Sequence, residues 1–453
     1  MPGIRSWRPH RFHLALASAA AFLALPAWAA AQEHQHPPAA APAEADSTAA
    51  DPDAAHHGMS AGTLGISRFR EASGTSWLPD ETPMYAFHRT SGRWELMLHG
   101  SVAIQYINEG GDRGEEQIGS TNWIMGMAHG AVGEGTLALH AMASLDAVTV
   151  GECGYPNLVA TGEFCDGEPI HDRQHPHDLF MELTAGYERA ISPGLGVQVY
   201  GGPVGEPALG PVAFPHRVSS LTNPIAPIAH HWLDSTHIAF GVVTAGVFGR
   251  SWKLEGSAFN GREPDEDRYD FDMAALDSWA ARLWLLPSPR WAIQVSSGRL
   301  QEAEVPPDGG SRVDVTRTTA SATYHRPLAR GGHWASTAAW GRNEEHGHAT
   351  EAFLFETNVN LAQRNILFAR GEIVEKSAED LVLEDLGEEV FALGKLTAGY
   401  MRQFPLGDLA VGLGGLVSVS LLDEELEPAY GSTSPVGGAV FLRVRPAAMT
   451  MEH

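Results

Sequence analysis

The sequence of 453 residues contains little cysteine and no long apolar run after its first 31 residues. A transmembrane helix needs about 20 apolar residues, so a helical membrane protein is excluded. The only two cysteines, Cys153 and Cys165, lie in one loop-like segment. They predict a disulfide that closes a small loop, with a thiol pair that holds a metal ion as the alternative.

Positive charge is also scarce. Thirty lysines and arginines stand against 55 aspartates and glutamates, which gives a formal net charge of −25 at pH 7. Such an acidic chain does not bind nucleic acid by counterion release, so nucleic acid is excluded as a partner. We expect it to attract cations instead.

Residues 1–31 have the composition of a secretory signal peptide. Arg5, Arg8 and Arg11 precede a short apolar run that ends in small residues, with cleavage expected after Ala29 or Ala31. Removal of this segment takes away three arginines and leaves a formal charge of about −28 on the mature chain. The sequence therefore predicts an exported protein.

Residues 32–90 are predicted to form a disordered periplasmic arm, because alanine, proline and aspartate dominate and few side chains can build a core. The arm carries the tracts HQH at 34–36 and HHGM at 56–59, and short histidine-rich tracts bind metals loosely. A C-terminal tail, 447–453, again combines methionine with histidine.

From residue 93 onward, apolar and polar side chains alternate with a period of two. In the first such segment Leu96 and Leu98 share one face, while Glu95 and His99 share the other. Alternation over ten or more residues is typical of a long strand, and about ten tilted residues cross a bilayer. We expect sixteen strands, near 93–107, 121–131, 135–146, 178–191, 195–203, 236–249, 251–261, 276–287, 290–301, 313–327, 333–342, 351–361, 365–375, 390–404, 408–421 and 435–445.

Every second connection between these segments is short, and the others are longer. Short turns at one rim and long loops at the other are typical of bacterial outer-membrane barrels. The predicted fold class is thus all-β, a transmembrane antiparallel up-and-down barrel of about 16 strands over residues 91–446, located in the outer membrane. A soluble β-sandwich or propeller is the alternative, but it does not explain the rhythm of the loops.

Three segments carry a resemblance to a family of uncharacterised bacterial outer-membrane barrel proteins: GEPALGPVAFPHR, NPIAPIAHHWLDSTHIAFGVVTAGV and HDRQHPHDL. The resemblance implies a barrel in the outer membrane and no particular activity. The arm, with its histidine and methionine, also resembles copper-resistance B-type outer-membrane proteins in composition alone.

Two long loops, near 147–177 and 204–235, are rich in histidine and aspartate and flank one predicted hairpin. Because they leave the barrel at the same rim, we expect their side chains to lie close together. Imidazole and carboxylate suit zinc, copper or nickel, and a carboxylate can also orient an imidazole ligand. A hydrogen-bonded network that pins the loops across the barrel mouth is the alternative. The candidate ligands are His171, Asp172, His175, His177, Asp178, His216, His230, His231, Asp234 and His237.

A second candidate site combines sulfur with imidazole. Met97 and His99 share the polar face of the first strand, and His140 and Met142 share that of the third. The second strand carries Met125, Met127 and His129 on one face, but Trp123 on the same face leaves its direction open. Methionine sulfur selects Cu(I) over hard cations. The alternative is that these methionines only fill irregular gaps in a packed lumen.

These patterns predict an outer-membrane barrel that binds or passes a transition-metal ion, with copper as the leading candidate and zinc as the other. The expected partners are outer-membrane lipid, the ion or a small solute, and a periplasmic metal-delivery protein. A general porin whose histidine loops form a constriction is the first alternative. The second is a surface-exposed hydrolase that uses Asp234 with Ser219, Ser220 or Ser235, but no nucleophile-elbow motif supports an enzyme.

Overall fold

The computed structural model describes residues 61–307 and 309–449. The predicted signal peptide, the tracts at 34–36 and 56–59, and most of the C-terminal tail lie outside these residues. Strands dominate the described chain, and all sixteen predicted strands are present. No helix in this part of the chain is long and apolar enough to cross a membrane.

Nineteen strands are numbered in chain order. Sixteen of them build the barrel, while β1 pairs only with β2, and β5 and β6 form a separate hairpin inside a loop. Their bounds are β1 Phe87–Ser91, β2 Trp94–Asn108, β3 Glu116–Val132, β4 Gly135–Ala143, β5 Tyr155–Cys165, β6 Glu168–Gln174, β7 Phe180–Ser192, β8 Leu195–Gly205, β9 Ala239–Phe248, β10 Trp252–Phe259, β11 Ser278–Ser288, β12 Trp291–Glu304, β13 Val313–Pro327, β14 His333–Glu345, β15 His348–Leu361, β16 Asn365–Ser377, β17 Val390–Leu406, β18 Leu409–Leu421 and β19 Val436–Pro446.

Helices are short and lie between strands or before the barrel. Within the described residues there are three α-helices, α1 Asp146–Thr149, α2 His230–Leu233 and α3 Glu427–Tyr430. The 3-10 helices are Thr63–Gly65, Arg68–Arg70, Ser235–His237, Ala329–Gly331, Glu384–Leu386 and Glu424–Leu426.

The sheet closes on itself. Each barrel strand pairs antiparallel with its neighbours in the order β10 to β19, then β2, β3, β4, β7, β8 and β9, which returns to β10. The seam between β19 and β2 runs from Val102↔Val444 to Gly438↔Asn108. Closure leaves no unpaired sheet edge, which a bilayer would penalise because it offers no water to backbone groups.

The two faces of the barrel have opposite chemistry. On β10 the outward side chain of Leu254 is 49% exposed, whereas its neighbour Glu255 points inward and is 3% exposed. Inside the barrel, Glu255 receives a hydrogen bond of 2.9 Å from the Arg282 guanidinium on β11. A wall that exposes leucines and buries ion pairs is stable only in lipid, so the outer surface is the membrane-facing surface.

The rims differ as predicted, with one exception. Short turns such as Gly133–Glu134 and Gly407–Asp408 connect strands at one rim, and longer loops connect them at the other. The connection between β14 and β15 also lies at the long-loop rim but consists of only His346 and Gly347, because both strands extend beyond their predicted ends. The disulfide joins Cys153, just before β5, to Cys165 at the end of β5, within one long loop.

Three segments pack against inward side chains of the barrel: the N-terminal segment 61–86, the loop 206–238 between β8 and β9, and the β5–β6 hairpin, whose Leu158 is buried against β15–β17. In the first, Trp77 and Leu78 are buried, and Ser76 donates a hydrogen bond of 2.6 Å to Glu206. The prediction of a disordered arm over 32–90 is therefore wrong for residues 61–90. A few anchoring side chains suffice there because the barrel wall already supplies the surface against which they pack.

The loop 206–238 crosses the full width of the barrel. It leaves from β8, and β16 is the eighth strand further round the ring of sixteen, which is the opposite wall. On that wall Arg370 donates hydrogen bonds of 2.8 Å to the Ile225 carbonyl and to the Ser220 hydroxyl. Its neighbour on β15, Glu356, accepts a hydrogen bond of 2.6 Å from Arg217 of the loop.

Candidate functional site

The inner face of β2, β3 and β4 carries two adjacent rows of methionine and histidine. One row is Met97, Met127 and His140, each the direct cross-strand partner of the next. The second row, two residues further along each strand, is His99, Met125 and Met142. We call these six residues the sulfur–imidazole grid. The direction of β3, which the sequence left open, is thereby resolved: its methionines and His129 point inward and are buried.

The grid belongs to a larger methionine-rich core inside the barrel. Met181 of β7 is buried in the same cluster, as is Met84 of the segment 61–86. Met449 packs against this cluster, and its backbone N–H donates to the Met84 carbonyl at 2.8 Å. Seven of the twelve methionines thus gather at one place in the lumen.

Carboxylates orient the imidazoles of this region. Nδ1 of His140 lies 3.2 Å from Oε1 of Glu182, which also accepts hydrogen bonds from Thr184 at 2.8 Å and Tyr200 at 2.9 Å. Nε2 of His140 is buried and has no hydrogen-bond partner among the described residues. No sequence pattern points to Glu182 in this role, because the contact joins residues 42 positions apart.

His99 and His129, on β2 and β3, also each have one buried ring nitrogen without a hydrogen-bond partner among the described residues. Nε2 of His129 lies 3.2 Å from Glu71 of the segment 61–86, and its Nδ1 is buried without a partner in the described chain. Nε2 of His99 is likewise buried and unpartnered there. The rings of His129 and His140 are 5.7 Å apart.

A cavity of about 80 Å³ adjoins the grid. His99, Met84 and Trp123 line it, together with His216 of the loop 206–238, whose ring lies 4.9 Å from that of Trp123. Burial lowers the pKa of His216 to about 4, so its imidazole is neutral at neutral pH. Predicted as part of the loop site, His216 therefore lies beside the grid.

Five of the predicted loop histidines do come together: His175, His177, His230, His231 and His237. We call them the loop histidine cluster. Their ring centroids form a connected set, with separations of 5.4 Å for His175–His231 and His177–His237, 5.5 Å for His230–His231 and 5.2 Å for His230–His237. The prediction that the two loops meet is thus confirmed.

Acidic and carbonyl oxygens hold most of these rings by Nδ1. Nδ1 of His177 lies 2.8 Å from the Asp146 carboxylate, and Nδ1 of His230 lies 2.9 Å from the Asp234 carboxylate. His237 bonds the Asp234 carbonyl at 2.8 Å. Nδ1 of His231 lies 3.1 Å from Glu263. Glycine at position 162 leaves room for the His231 ring, because any Cβ there would collide with it.

Burial disfavours the charged form of four histidines of this cluster. It lowers the pKa of His231 to about 4, lowers that of His230, and holds those of His175 and His237 well below the usual value. Burial alone would raise the pKa of Asp234, but Arg217 and the hydrogen bond from His230 hold it well below its usual range. The result is a hydrogen-bonded network in which His230 and His237 contact the side chain and the backbone carbonyl of Asp234.

The remaining predicted loop ligands lie apart from the cluster. His171 and Asp172 contact each other, and Asp172 forms an ion pair of 2.7 Å with Arg113. Asp178 lies 3.7 Å from Arg268, and burial raises its pKa to about 8.

Ligand atoms of three residues converge within 4.8 Å of one another in a set that the sequence did not predict. It consists of His231, Glu263 and Glu304. Glu263 belongs to the acidic loop between β10 and β11, and burial raises its pKa to about 7. Within the described chain, no three of the predicted histidine and aspartate ligands converge in this way.

The serines considered for a hydrolase are engaged elsewhere. Ser219 donates to Glu356 at 2.8 Å, Ser220 accepts from Arg370, and Ser235 accepts from Arg317 at 2.7 Å. Among the described hydrogen bonds, none of the three pairs with a histidine, so a nucleophile with its general base is not assembled there.

No protein-family model and no curated protein matches the chain. Among solved structures it is similar to OmpF of Salmonella typhi in complex with daunomycin, with a TM-score of 0.50 and 10% identity over 79% of this chain and 100% of that chain. The anion-selective porin from Comamonas acidovorans matches with a TM-score of 0.47 and 10% identity over 78% of this chain and 99% of that chain. The outer-membrane channel DcaP of Acinetobacter baumannii matches with a TM-score of 0.46 and 8% identity over 80% of this chain and 100% of that chain.

The likeness to OmpF concerns the fold alone, which is that of a porin-like outer-membrane barrel. Together with the apolar outer surface, this fold places the chain in the bacterial outer membrane. The compositional resemblance to copper-resistance proteins has no counterpart in these comparisons.

Proposed function

We propose that the protein is a porin-type channel for small solutes whose lumen is closed by the loop 206–238 and the segment 61–86 and opens when the loop withdraws. The proposal rests on a porin-like closed barrel combined with a loop that crosses it from wall to wall. The predicted role of the histidine loops as a constriction agrees with this arrangement.

Polar side chains and an apolar cluster together hold the loop against the opposite wall, where Ile228 and Leu233 of the loop are buried with Leu354 of β15 and Val374 of β16. Besides Arg370 and Glu356, Asn358 of β15 donates a hydrogen bond of 2.6 Å to Thr222, and Glu372 of β16 accepts one of 3.1 Å from the Ala229 N–H. Water can replace the neutral hydrogen bonds at small net cost, because the net value of one is about 1 kcal/mol, whereas the buried ion pair between Arg217 and Glu356 costs about 3–5 kcal/mol to break. The wall contributes side chains to these contacts, while its backbone hydrogen bonds join only neighbouring strands, so the loop can leave the wall without unfolding the barrel.

Loop removal followed by conductance measurement in planar bilayers tests the proposal. Gly205 and Ala239 are register partners on β8 and β9, so an Asn-Gly turn can replace residues 206–238. We expect this variant to conduct steadily, while the native chain is closed for most of the time.

A matched control is available at another loop. Glu304 of β12 and Val313 of β13 are also register partners, so the same turn can replace residues 305–312 at the long-loop rim. This variant should conduct like the native chain. If the variant without 206–238 folds and is as silent as the control, the loop does not gate a channel and the proposal is wrong.

The predicted handling of a transition-metal ion stays a prediction. The observation that favours it is the sulfur–imidazole grid, more than the loop histidine cluster.

A further inference from the structure

We propose that the sulfur–imidazole grid is a binding site for one soft monovalent metal ion of the Cu(I) or Ag(I) class. Its core ligands are the thioethers of Met125 and Met127 on the central strand and the Nε2 atoms of His99 and His140 on the flanking strands. The site is independent of the gating proposed above, because the ligands belong to the barrel wall and not to the loop.

The sheet register brings these donors together. Direct cross-strand partners have Cβ atoms about 4.5–5.5 Å apart, and successive rows on one face are about 6.8 Å apart. Met127 is the partner of both Met97 and His140, and Met125 is the partner of both His99 and Met142. Four thioethers and two imidazoles therefore project from a patch two rows deep and three strands wide.

The histidine nitrogens point to a ligand more strongly than the methionines do. A methionine can fill space in any core, but a buried imidazole nitrogen without a hydrogen-bond partner is destabilising. Nε2 of His99 and Nε2 of His140 are both in this state within the described chain. A bound metal ion would satisfy both.

The surroundings of His140 are those of a metal ligand. A ligating histidine usually gives its other ring nitrogen to a carboxylate, which fixes the tautomer and turns the free nitrogen toward the metal. Glu182 does this for His140 at Nδ1, and Thr184 and Tyr200 hold Glu182 in turn.

The donor set selects the class of ion. Thioether and neutral imidazole bind soft ions well and hard ions poorly. Arg443 and Arg445 also line the adjoining cavity, and their charges disfavour ions that are held by electrostatics alone. Cu(I) and Ag(I) gain most from sulfur coordination, so we expect them to bind and Na⁺, Ca²⁺ and Mg²⁺ not to bind.

Calorimetric titration of the detergent-purified full chain with Ag(I) tests the site. All proteins carry serine in place of the potential donors of the terminal tracts, so that only the barrel is measured; these donors are His34, His36, His56, His57, Met59, Met451 and His453. We expect one equivalent of Ag(I) to bind, and a Met125→Leu/Met127→Leu variant to bind it at least tenfold more weakly. Leucine approximates the volume of methionine, so the lumen stays packed.

Met401→Leu is the matched control, because Met401 is also an inward, buried methionine but belongs to a different cluster. It should bind Ag(I) like the parent. Equal binding by the parent and the Met125→Leu/Met127→Leu variant would overturn the proposal. X-ray absorption of the Cu(I)-loaded parent needs no variant: sulfur and nitrogen neighbours are expected, and a copper shell without sulfur would also overturn it.

Discussion

Arg370 on β16 donates a 2.8 Å hydrogen bond to the hydroxyl of Ser220, although Ser220 belongs to a loop that begins at the opposite wall of the barrel. Few contacts within a barrel join residues so far apart round its circumference. This one fixes the loop 206–238 across the lumen, and the proposed gate depends on it and on the ion pairs beside it.

Neutralising Glu356 should free the loop. Glu356 is 1% exposed and bonds both Arg217 and Arg370, so Glu356→Gln leaves two buried guanidinium groups short of a counter-charge. Breaking a buried ion pair costs about 3–5 kcal/mol. We expect more frequent openings in planar bilayers and faster proteolysis within 206–238. Arg299→Ala, which removes a largely exposed pair with Asp314, should cost only about 0–1 kcal/mol and change neither readout.

Acidification should loosen the loop histidine cluster. Burial lowers the folded-state pKa of His175, His230, His231 and His237 below the unfolded value of about 6.5, and that of His231 to about 4. Below pH 6.5 the unfolded loop therefore binds more protons than the folded loop, and stability falls as the pH falls toward 4. Each histidine contributes a slope of at most about 1.4 kcal/mol per pH unit.

Amide hydrogen exchange in the loops between pH 7 and pH 4.5 measures this effect. The charged and titratable side chains around the cluster are Asp146, Glu163, Arg217, Asp234, Glu263, Arg268, Arg317, Lys376 and Asp380. Exchange in residues 206–238 should accelerate on acidification after correction for the intrinsic rate, and His231→Phe should reduce the acceleration. Loop protection that does not change over this range would show that the cluster does not titrate as described.

The disulfide should stabilise one loop and not the barrel. Cys153 and Cys165 enclose a segment with a sequence separation of 12, and the bond links the two ends of β5 within one long loop. Closing a loop of this size contributes about 3 kcal/mol in the chain-entropy model. A Cys153→Ser/Cys165→Ser variant should be cut by protease within 153–165 and still show the native barrel's shift on unheated gels. Loss of that shift would mean that the barrel needs the disulfide in order to fold.

Glu182→Gln tests whether Glu182 positions His140. The amide cannot hold the imidazole as strongly, so Ag(I) affinity should fall about 10–100-fold, the usual cost of losing such a partner. The nitrogen chemical shifts of His140 should move from one fixed tautomer to a mixture, which a purely structural role of Glu182 in packing would not produce. Glu344→Gln, at an exposed surface pair with Arg342, serves as the control.

A positive charge on the outer surface should be costly in proportion to its depth. Val295 lies outward in the middle of β12 and is 51% exposed. Val295→Lys should destabilise the barrel by about 2–4 kcal/mol in lipid, and Val390→Lys at the long-loop rim by about 0–1 kcal/mol. Denaturant unfolding in lipid vesicles measures both, and equal costs would mean that this surface does not face a bilayer.

The sequence predicted the barrel because alternation along each strand records directly which side chain meets lipid. It predicted the meeting of the loop histidines because loops that flank one hairpin leave from one rim. It could not orient β3, since Trp123 is amphipathic and its ring packs inward on His216. It could not find Glu71, Glu182 or Glu263, because these carboxylates reach their histidines through contacts that alternation does not encode.

The sequence wrongly predicts disorder for segment 61–86, and the physical reason is different. Its composition cannot build a core by itself, but it does not need to, because it packs Trp77 against Phe248 of the barrel wall and seats Arg70 against the Arg250 carbonyl at 2.6 Å. Composition describes what a segment can bury alone. A surface supplied by another part of the chain is visible only in the fold.

Reversible crosslinking of the loop to the opposite wall tests the proposed gate most directly. Thr222→Cys and Asn358→Cys replace a pair now joined by a 2.6 Å hydrogen bond, in a Cys153→Ser/Cys165→Ser background, and a cleavable bifunctional thiol reagent joins them. In planar bilayers we expect a silent barrel when the link is intact and recurrent openings after a reducing agent cleaves it. Equal conductance before and after cleavage, with crosslinking verified by mass spectrometry, would contradict the closure of a channel by this loop.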